Sequence, residues 1–206
     1  MTKREPGEVR RPQIADAALR IIARHGLARF TTAAIAEEVG ITEGSIFRHF
    51  ASKAEIVLAA IDRIEELFGE AAPPADLDPI EELGRFMAHR MSVVHENAGV
   101  ARLLFSEDLS FAAGPAGAAR VREIRARGAV HIRRCLHAAQ TAGIVAPGLE
   151  LDALVLLVHG AAMALVFSDA PGDPRRTALM WKTLEQLLRR ALPTGHETSR
   201  TKRGRA

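Results

Sequence analysis

Tyrosine is absent from this 206-residue chain, cysteine and tryptophan occur once each, and aromatic residues make up only 4% of it. A lone Cys135 cannot close an internal disulfide, so stability has to come from a packed core, in keeping with a reducing cytoplasm. The opening residues MTKREPGEVRR hold no apolar stretch of the kind that directs export, and cytoplasmic localisation is expected. Long hydrophobic runs are lacking too. The most hydrophobic, Ala153–Phe167, contains His159 and Gly160 and is bracketed by Asp152 and Asp169. A membrane span needs roughly twenty apolar residues, so this run reads as a buried helix and no membrane partner is expected.

Catalytic signatures are also missing. There is no phosphate-binding glycine loop, no HExxH and no GxSxG, and no base can be placed beside Cys135, so an enzyme is not expected. His89 and His95 lie six residues apart, as do His131 and His137, which sets each pair about 120° apart around a helix. Histidines that converge on one ion sit four apart. Neither a metal nor a cofactor is expected.

What the chain does have is helix formers and an uneven charge distribution. Hydrophobic residues make up 48% of it, enough for a buried core, and the abundance of Ala, Leu, Arg and Glu points to an all-α fold. Residues 1–53 hold nine Lys/Arg against six Asp/Glu; residues 54–112 hold four against twelve; residues 113–206 hold fifteen against seven. An acidic middle repels phosphate, which confines any contact with nucleic acid to the first segment and the basic tail.

Residues 31–50, TTAAIAEEVGITEGSIFRHF, have the pattern of a helix, a tight turn and a second helix. Thr32 can cap the first helix, whose buried side is Ile35, Ala36 and Val39. Gly40 supplies the residue that takes positive φ where the chain reverses. Thr42 caps the second helix, which Ile46, Phe47 and Phe50 anchor at helical spacing. Its exposed remainder, Glu43, Ser45, Arg48 and His49, suits contact with bases and phosphates. Arg matches the acceptor pair of guanine, Glu accepts from cytosine and Ser is promiscuous. Thr42, Glu43, Gly44 and Ser45 open this reading face; Gly44 allows close backbone approach, and Ser45 and Arg48 carry most of the expected specificity. Ser52 with Glu55 completes a capping box for the next helix.

The wider stretch 12–61, PQIADAALRIIARHGLARFTTAAIAEEVGITEGSIFRHFASKAEIVLAAI, resembles the DNA-binding domain of the TetR family of bacterial transcriptional regulators. The matching features are Ile14, Ala17–Ala18, Gly26, Thr31–Thr32, Ile35–Ala36, Gly40, and His49–Phe50 followed by Ser52–Lys53. The resemblance implies an N-terminal three-helix helix-turn-helix domain, a C-terminal helical ligand-binding and dimerisation domain, about nine helices in all, and a homodimer. It also implies phosphate contacts from Thr32, His49 and Lys53. Where this chain has Phe47 the family usually has a phosphate-binding Tyr, so that hydrogen bond is missing. A reader this small recognises few base pairs, hence the expectation of a dimer on a palindromic operator in double-stranded DNA.

The expected domains are a DNA-binding domain at 1–53, ordered from about Pro12, a regulatory and dimerisation domain at 54–192, and a basic disordered tail at 193–206. A connector is expected at 71–79, where prolines cluster. The last two helices, about 149–168 and 174–192, are expected to pair with their twofold mates through Leu154, Leu157, Val158, Ala161, Leu165, Met180, Leu184 and Leu187. An unidentified small-molecule ligand is expected among Met87, Arg90, Met91, Phe105, His131, Cys135 and His159. Arg90 falls inside the apolar stripe of its helix, where a charge needs either a protein carboxylate or an anionic ligand, and the carboxylate is the commoner answer. The functional expectation is a repressor released from its operator by that ligand. ENAGVARLLFSEDL and the arginine-rich helix after it are also similar to the nucleoid-occlusion branch of the family, which binds DNA and acts on a cell-division protein.

Overall fold

The structure, a computed structural model, describes residues 7–69, 77–106 and 112–190. Among them are nine α-helices and no strand: α1 (Gly7–His25), α2 (Thr32–Val39), α3 (Glu43–Ile46), α4 (Lys53–Phe68), α5 (Pro79–Glu96), α6 (Ala98–Phe105), α7 (Gly114–Thr141), α8 (Leu151–Val166) and α9 (Pro174–Arg190). The all-α expectation is met. Most of the proline-rich connector and the basic tail lie outside the described residues.

Three boundaries differ from the sequence reading. Helix α1 begins at Gly7, not Pro12: its first turn carries a single apolar residue, the exposed Val9, too little for periodicity to detect, and Pro12 is accommodated inside it. The cap of α2 is Thr31, whose hydroxyl accepts from the Ala34 N–H at 3.1 Å, and the expected cap Thr32 is the first helical residue. Two adjacent threonines are equally able to cap, and only the backbone angles decide between them. The second reading helix is shorter than expected. It is regular over α3 and then tightens, with His49 N–H bonding Ile46 C=O at 2.8 Å before Phe50 closes the last turn. Gly40 meets its expectation: φ 73°, ψ 37°, terminating α2 in the left-handed region.

Helix α4 is the shared element. One side packs on α1 and another on α7, and Ile56, Val57, Ala60, Ile61 and Ile64 are fully buried between them. Ser52 accepts from the Glu55 N–H at 3.2 Å, and the Glu55 carboxylate accepts from Ala51 N–H at 2.7 Å, one residue before the position a standard capping box uses. Helix α1 is tied to α6 at a second joint. A Cβ built on Gly99 would lie 2.1 Å from the Leu19 carbonyl oxygen, so only glycine allows this approach. Gly99→Ala is expected to cost about 1–3 kcal/mol by forcing the two helices apart. An unchanged thermal midpoint would show that the joint yields freely.

The start of α5 is fixed by charge. Asp78 accepts from the N–H groups of Ile80 and Glu81 at 2.8 and 3.2 Å and pairs with Arg189 on α9 at 3.0 Å. Burial works against its ionised form, but Arg189 and the two amides outweigh this and hold the carboxyl below its ordinary 3.8. A depressed carboxyl stabilises the fold above that value and loses its contribution as pH falls through the folded value. Asp78→Asn, which keeps a capping oxygen, is therefore expected to lower stability by about 1 kcal/mol at neutral pH. The deficit should begin to shrink as pH falls below 3.8 and vanish only beneath the lower folded value, as denaturant titrations at several pH values would show.

Candidate nucleic-acid interface and ligand cavity

The reading face stands on a fully buried base of Phe30, Ile35, Ile46 and Phe50. Above it, Arg48 donates to the Ser45 hydroxyl at 2.8 Å, and Ser45 shares a 2.9 Å hydrogen bond with Thr42. The Thr42 hydroxyl therefore serves this cluster instead of capping α3. Thr32 donates to the Glu43 carboxylate, which links the starts of α2 and α3. Gly44 is exposed, with nothing within 4 Å of a built Cβ. Thr42, Glu43, Gly44, Arg48, Lys53 and Phe47 all reach solvent; Thr32, Ser45 and His49 are half-buried. The Lys53 ammonium lies 5.1 Å from the Phe30 ring centre.

Arg11 precedes Pro12, the residue from which order is expected. It sits on α1 and stacks 4.2 Å over Phe50, while its guanidinium donates to the His49 carbonyl and the Glu55 carboxylate. Ala51 N–H, then Arg11, keep Glu55 below the usual carboxylate range. The end of the reading segment is thus clamped by α1 and α4 together. No local pattern could show this, since Arg11 and Glu55 are distant in sequence.

The body contains a cavity of about 950 Å³ between α4, α5 and α7, and a neighbouring apolar chamber of about 80 Å³. Phe68, Phe86, Arg90 and Ile124 are walls of both. Of the expected ligand residues, Met87, Arg90, Met91, Phe105 and His159 line the chamber and His131 lines the larger cavity. Cys135 lines neither: it is buried, and burial pushes its thiol up to about 12. The expected carboxylate partner for Arg90 is not found among the described residues. Its guanidinium instead lies 3.9 Å from the Phe68 ring centre and 4.9 Å from that of Phe86. Burial, then the nearby Arg127, push Arg90 down to about 10, which leaves it charged at neutral pH.

His131 stacks on Phe86 at 4.1 Å, and its Nε2 is buried without a hydrogen bond. Burial first, then Arg134, hold the ring below its ordinary value. Glu82, His131 and Cys135 bring one donor atom each within 4.8 Å of one another, a grouping missed by considering histidine pairs alone. Arg134 already pairs with Glu82 there.

The third surface is apolar and unpartnered within one chain. Leu156 and Leu157 on α8, Phe167 at its C-cap, and Leu179 and Leu187 on α9 are each 63–71% exposed. Exposed Gly160 and Ala164 continue the α8 face. Of the expected dimer residues, Leu157 and Leu187 lie on it, and Ala161, Met180 and Leu184 are half-buried. Leu154, Val158 and Leu165, also expected there, are 0–7% exposed and fill the chain's own core, which leaves them little surface to offer a mate. A helix apolar on every side gives no sign in sequence of which side turns inward.

Comparison with known proteins supports both halves unequally. Residues 14–60 match the family model described as bacterial regulatory proteins, tetR family. The HTH-type transcriptional regulator TtgR of Pseudomonas putida is 38% identical over 96 residues, 46% of this chain and 45% of that protein. The nucleoid occlusion factor SlmA of a Marinomonas species is 34% identical over 104 residues, 49% of this chain and 53% of that protein. The chain thus spans about half the length of the curated relatives it matches. The structure of AibR in complex with isovaleryl coenzyme A and operator DNA superposes with a TM-score of 0.70 at 17% identity, covering 87% of this chain and 98% of that one. At that identity the likeness shows a shared fold.

Proposed function

We propose that this chain, which belongs to the TetR family of bacterial regulatory proteins, is a homodimeric transcriptional repressor that a small-molecule ligand releases from a palindromic operator. The observation that carries the reading is the exposed Thr42–Ser45–Arg48 cluster, held on a rigid apolar base at the face a helix-turn-helix offers to the major groove. Arg48 and Ser45 specify bases. Thr32, His49 and Lys53 position the phosphates. Phe47, 54% exposed, replaces a hydrogen bond with apolar contact, suited to a thymine methyl.

The mechanism follows from α4. Its first residue, Lys53, lies in the reader, and its last, Phe68, is a wall of the cavity. A ligand that packs against Phe68 biases the orientation of α4, and with it the separation of the two heads in a dimer. Release is a population shift, so the ligand has to favour the conformer with misplaced heads. Moving occupancy from 99:1 to 1:99 takes roughly 5.5 kcal/mol of differential affinity. The relatives are named as an HTH-type transcriptional regulator and a nucleoid occlusion factor, which supports a regulator over an enzyme. No helix of the described residues is long and apolar enough to cross a membrane, and action on chromosomal DNA implies a cytoplasmic protein.

The similarity to SlmA supports a second reading, a nucleoid-associated DNA binder acting on a cell-division protein. Retention of sheared genomic DNA from the source organism, followed by sequencing, separates the two. One or a few palindromes beside promoters are expected of the repressor, and many dispersed sites of the nucleoid protein. Retention without any enriched sequence would contradict both.

A further inference from the structure

Among the described residues, every carboxylate in the wall of the large cavity is already engaged. Arg120 and Arg127 both pair with Glu65, Arg120 also with Asp62, Arg63 with Glu66, and Arg134 with Glu82. Arg90 is left over. It is set back from solvent between two phenyl rings, with no carboxylate among the described residues and with Arg127 close enough to disfavour its charge. A cation held away from water has to be compensated. Stacking on Phe68 and Phe86 compensates it in part. Beside it, the His131 Nε2 makes no hydrogen bond and faces the Glu82 carboxylate at 3.6 Å, which Arg134 already pairs. The paired acids offer nothing to a cationic ligand, and a neutral one would leave Arg90 as it is.

Arg90 also stands where the large cavity meets the apolar chamber, as a wall of both. Behind it the chamber is bounded by Met87, Met91, Leu104, Ile132 and Met163, and its wall includes Gly128, whose missing side chain leaves the space open. Methionine side chains adapt to the shape of an apolar guest. At about 80 Å³ the chamber takes a short alkyl or aryl group, not a long chain.

We propose that this site binds a monoanionic amphiphile, a carboxylate whose head pairs with Arg90 and whose short apolar arm enters the methionine-lined chamber. The assignment rests on the ligand-responsive reading above and names the ligand's chemical class. It differs from a polyanion such as an acyl coenzyme A, because the remaining arginines of the wall are neutralised by their own carboxylates, Arg85 at the exposed rim excepted.

The test uses the full-length dimer, calorimetric titration and thermal unfolding with octanoate and phenylacetate. Octanol, octylamine and octanoyl coenzyme A serve as controls, and operator retention is measured in the same samples. At least one carboxylate should bind and raise the unfolding midpoint, with octanol and octylamine inert and octanoyl coenzyme A weaker. Arg90→Met, checked for helicity by circular dichroism, should weaken carboxylate binding roughly tenfold or more. Gly128→Leu, which fills the chamber from a point whose Cβ would lie 4.0 Å from the Arg90 guanidinium, should weaken it as well. The proposal is overturned if neither carboxylate binds, if octanol matches octanoate, if the coenzyme A ester binds more tightly, or if Arg90→Met has no effect. Carboxylate binding without operator retention would instead leave the ligand assignment standing and sink the regulator.

Discussion

Replacing Ser45 and Arg48 together with alanine is expected to remove discrimination between the operator and bulk DNA, a loss of roughly 100-fold or more in specific affinity. Arg48 is the one long donor fork on the reading face, and a bidentate contact to guanine is worth about 1–3 kcal/mol of discrimination. Ser45 contributes twice, by its own contact and by accepting from Arg48 at 2.8 Å, which fixes the direction of the guanidinium. The two substitutions should therefore not be additive: Ser45→Ala alone already loosens Arg48. Weak, salt-sensitive binding to any DNA should survive, because Lys53 and the helix-terminal amides are untouched. Fluorescence anisotropy on operator and scrambled duplexes at two salt concentrations reads both quantities. A double variant that still prefers the operator would move the specificity elsewhere on the head.

The second large effect is expected at the exposed apolar face of α8. Leu157→Asp should convert the dimer to a monomer. Symmetry places the substitution twice in one interface. Loss of the two leucine contacts alone amounts to about 3–6 kcal/mol, and the dissociation constant should rise by roughly two to four powers of ten. Because Leu157 is 63% exposed in the single chain, the monomer's own core is not disturbed and it should stay helical. Operator affinity should fall with the dimer, since one head alone reads half a site. Leu154→Asp is the contrasting control: Leu154 is buried in the chain, and an aspartate there should unfold it. Sedimentation of both variants decides the matter, and a Leu157→Asp protein that remains dimeric at micromolar concentration would place the interface on another face.

How far the sequence goes depends on whether a feature is local. The helix-turn-helix is a pattern of caps, glycine and apolar spacing over twenty residues, so its elements can be read directly, and errors arise only where neighbours such as Thr31 and Thr32 are interchangeable. The position of Arg90 within an apolar stripe is also legible from helical periodicity. Its surroundings are not, because Phe68 comes from α4, and a stacked ring leaves no signature in sequence. The same limit applies to the Arg11 clamp and to Glu82 beside His131 and Cys135, each assembled from separate helices. The wall arginines Arg120, Arg127 and Arg134 read as an ordinary solvated face of a long helix, and only the packing of α4 and α5 closes a cavity over them. In α8, hydrophobicity all round identifies the helix and conceals the orientation, which is why the expected interface residues divide between core and surface.

The central claim is that two heads of one dimer read a palindrome, and hydroxyl-radical footprinting on a fragment enriched from genomic DNA tests it most directly. The account predicts two protected patches related by a dyad, centred about one helical turn or a multiple of it apart, and lost together in the Ser45→Ala, Arg48→Ala protein. Uniform protection with no dyad, or a footprint that the double variant reproduces, would contradict it.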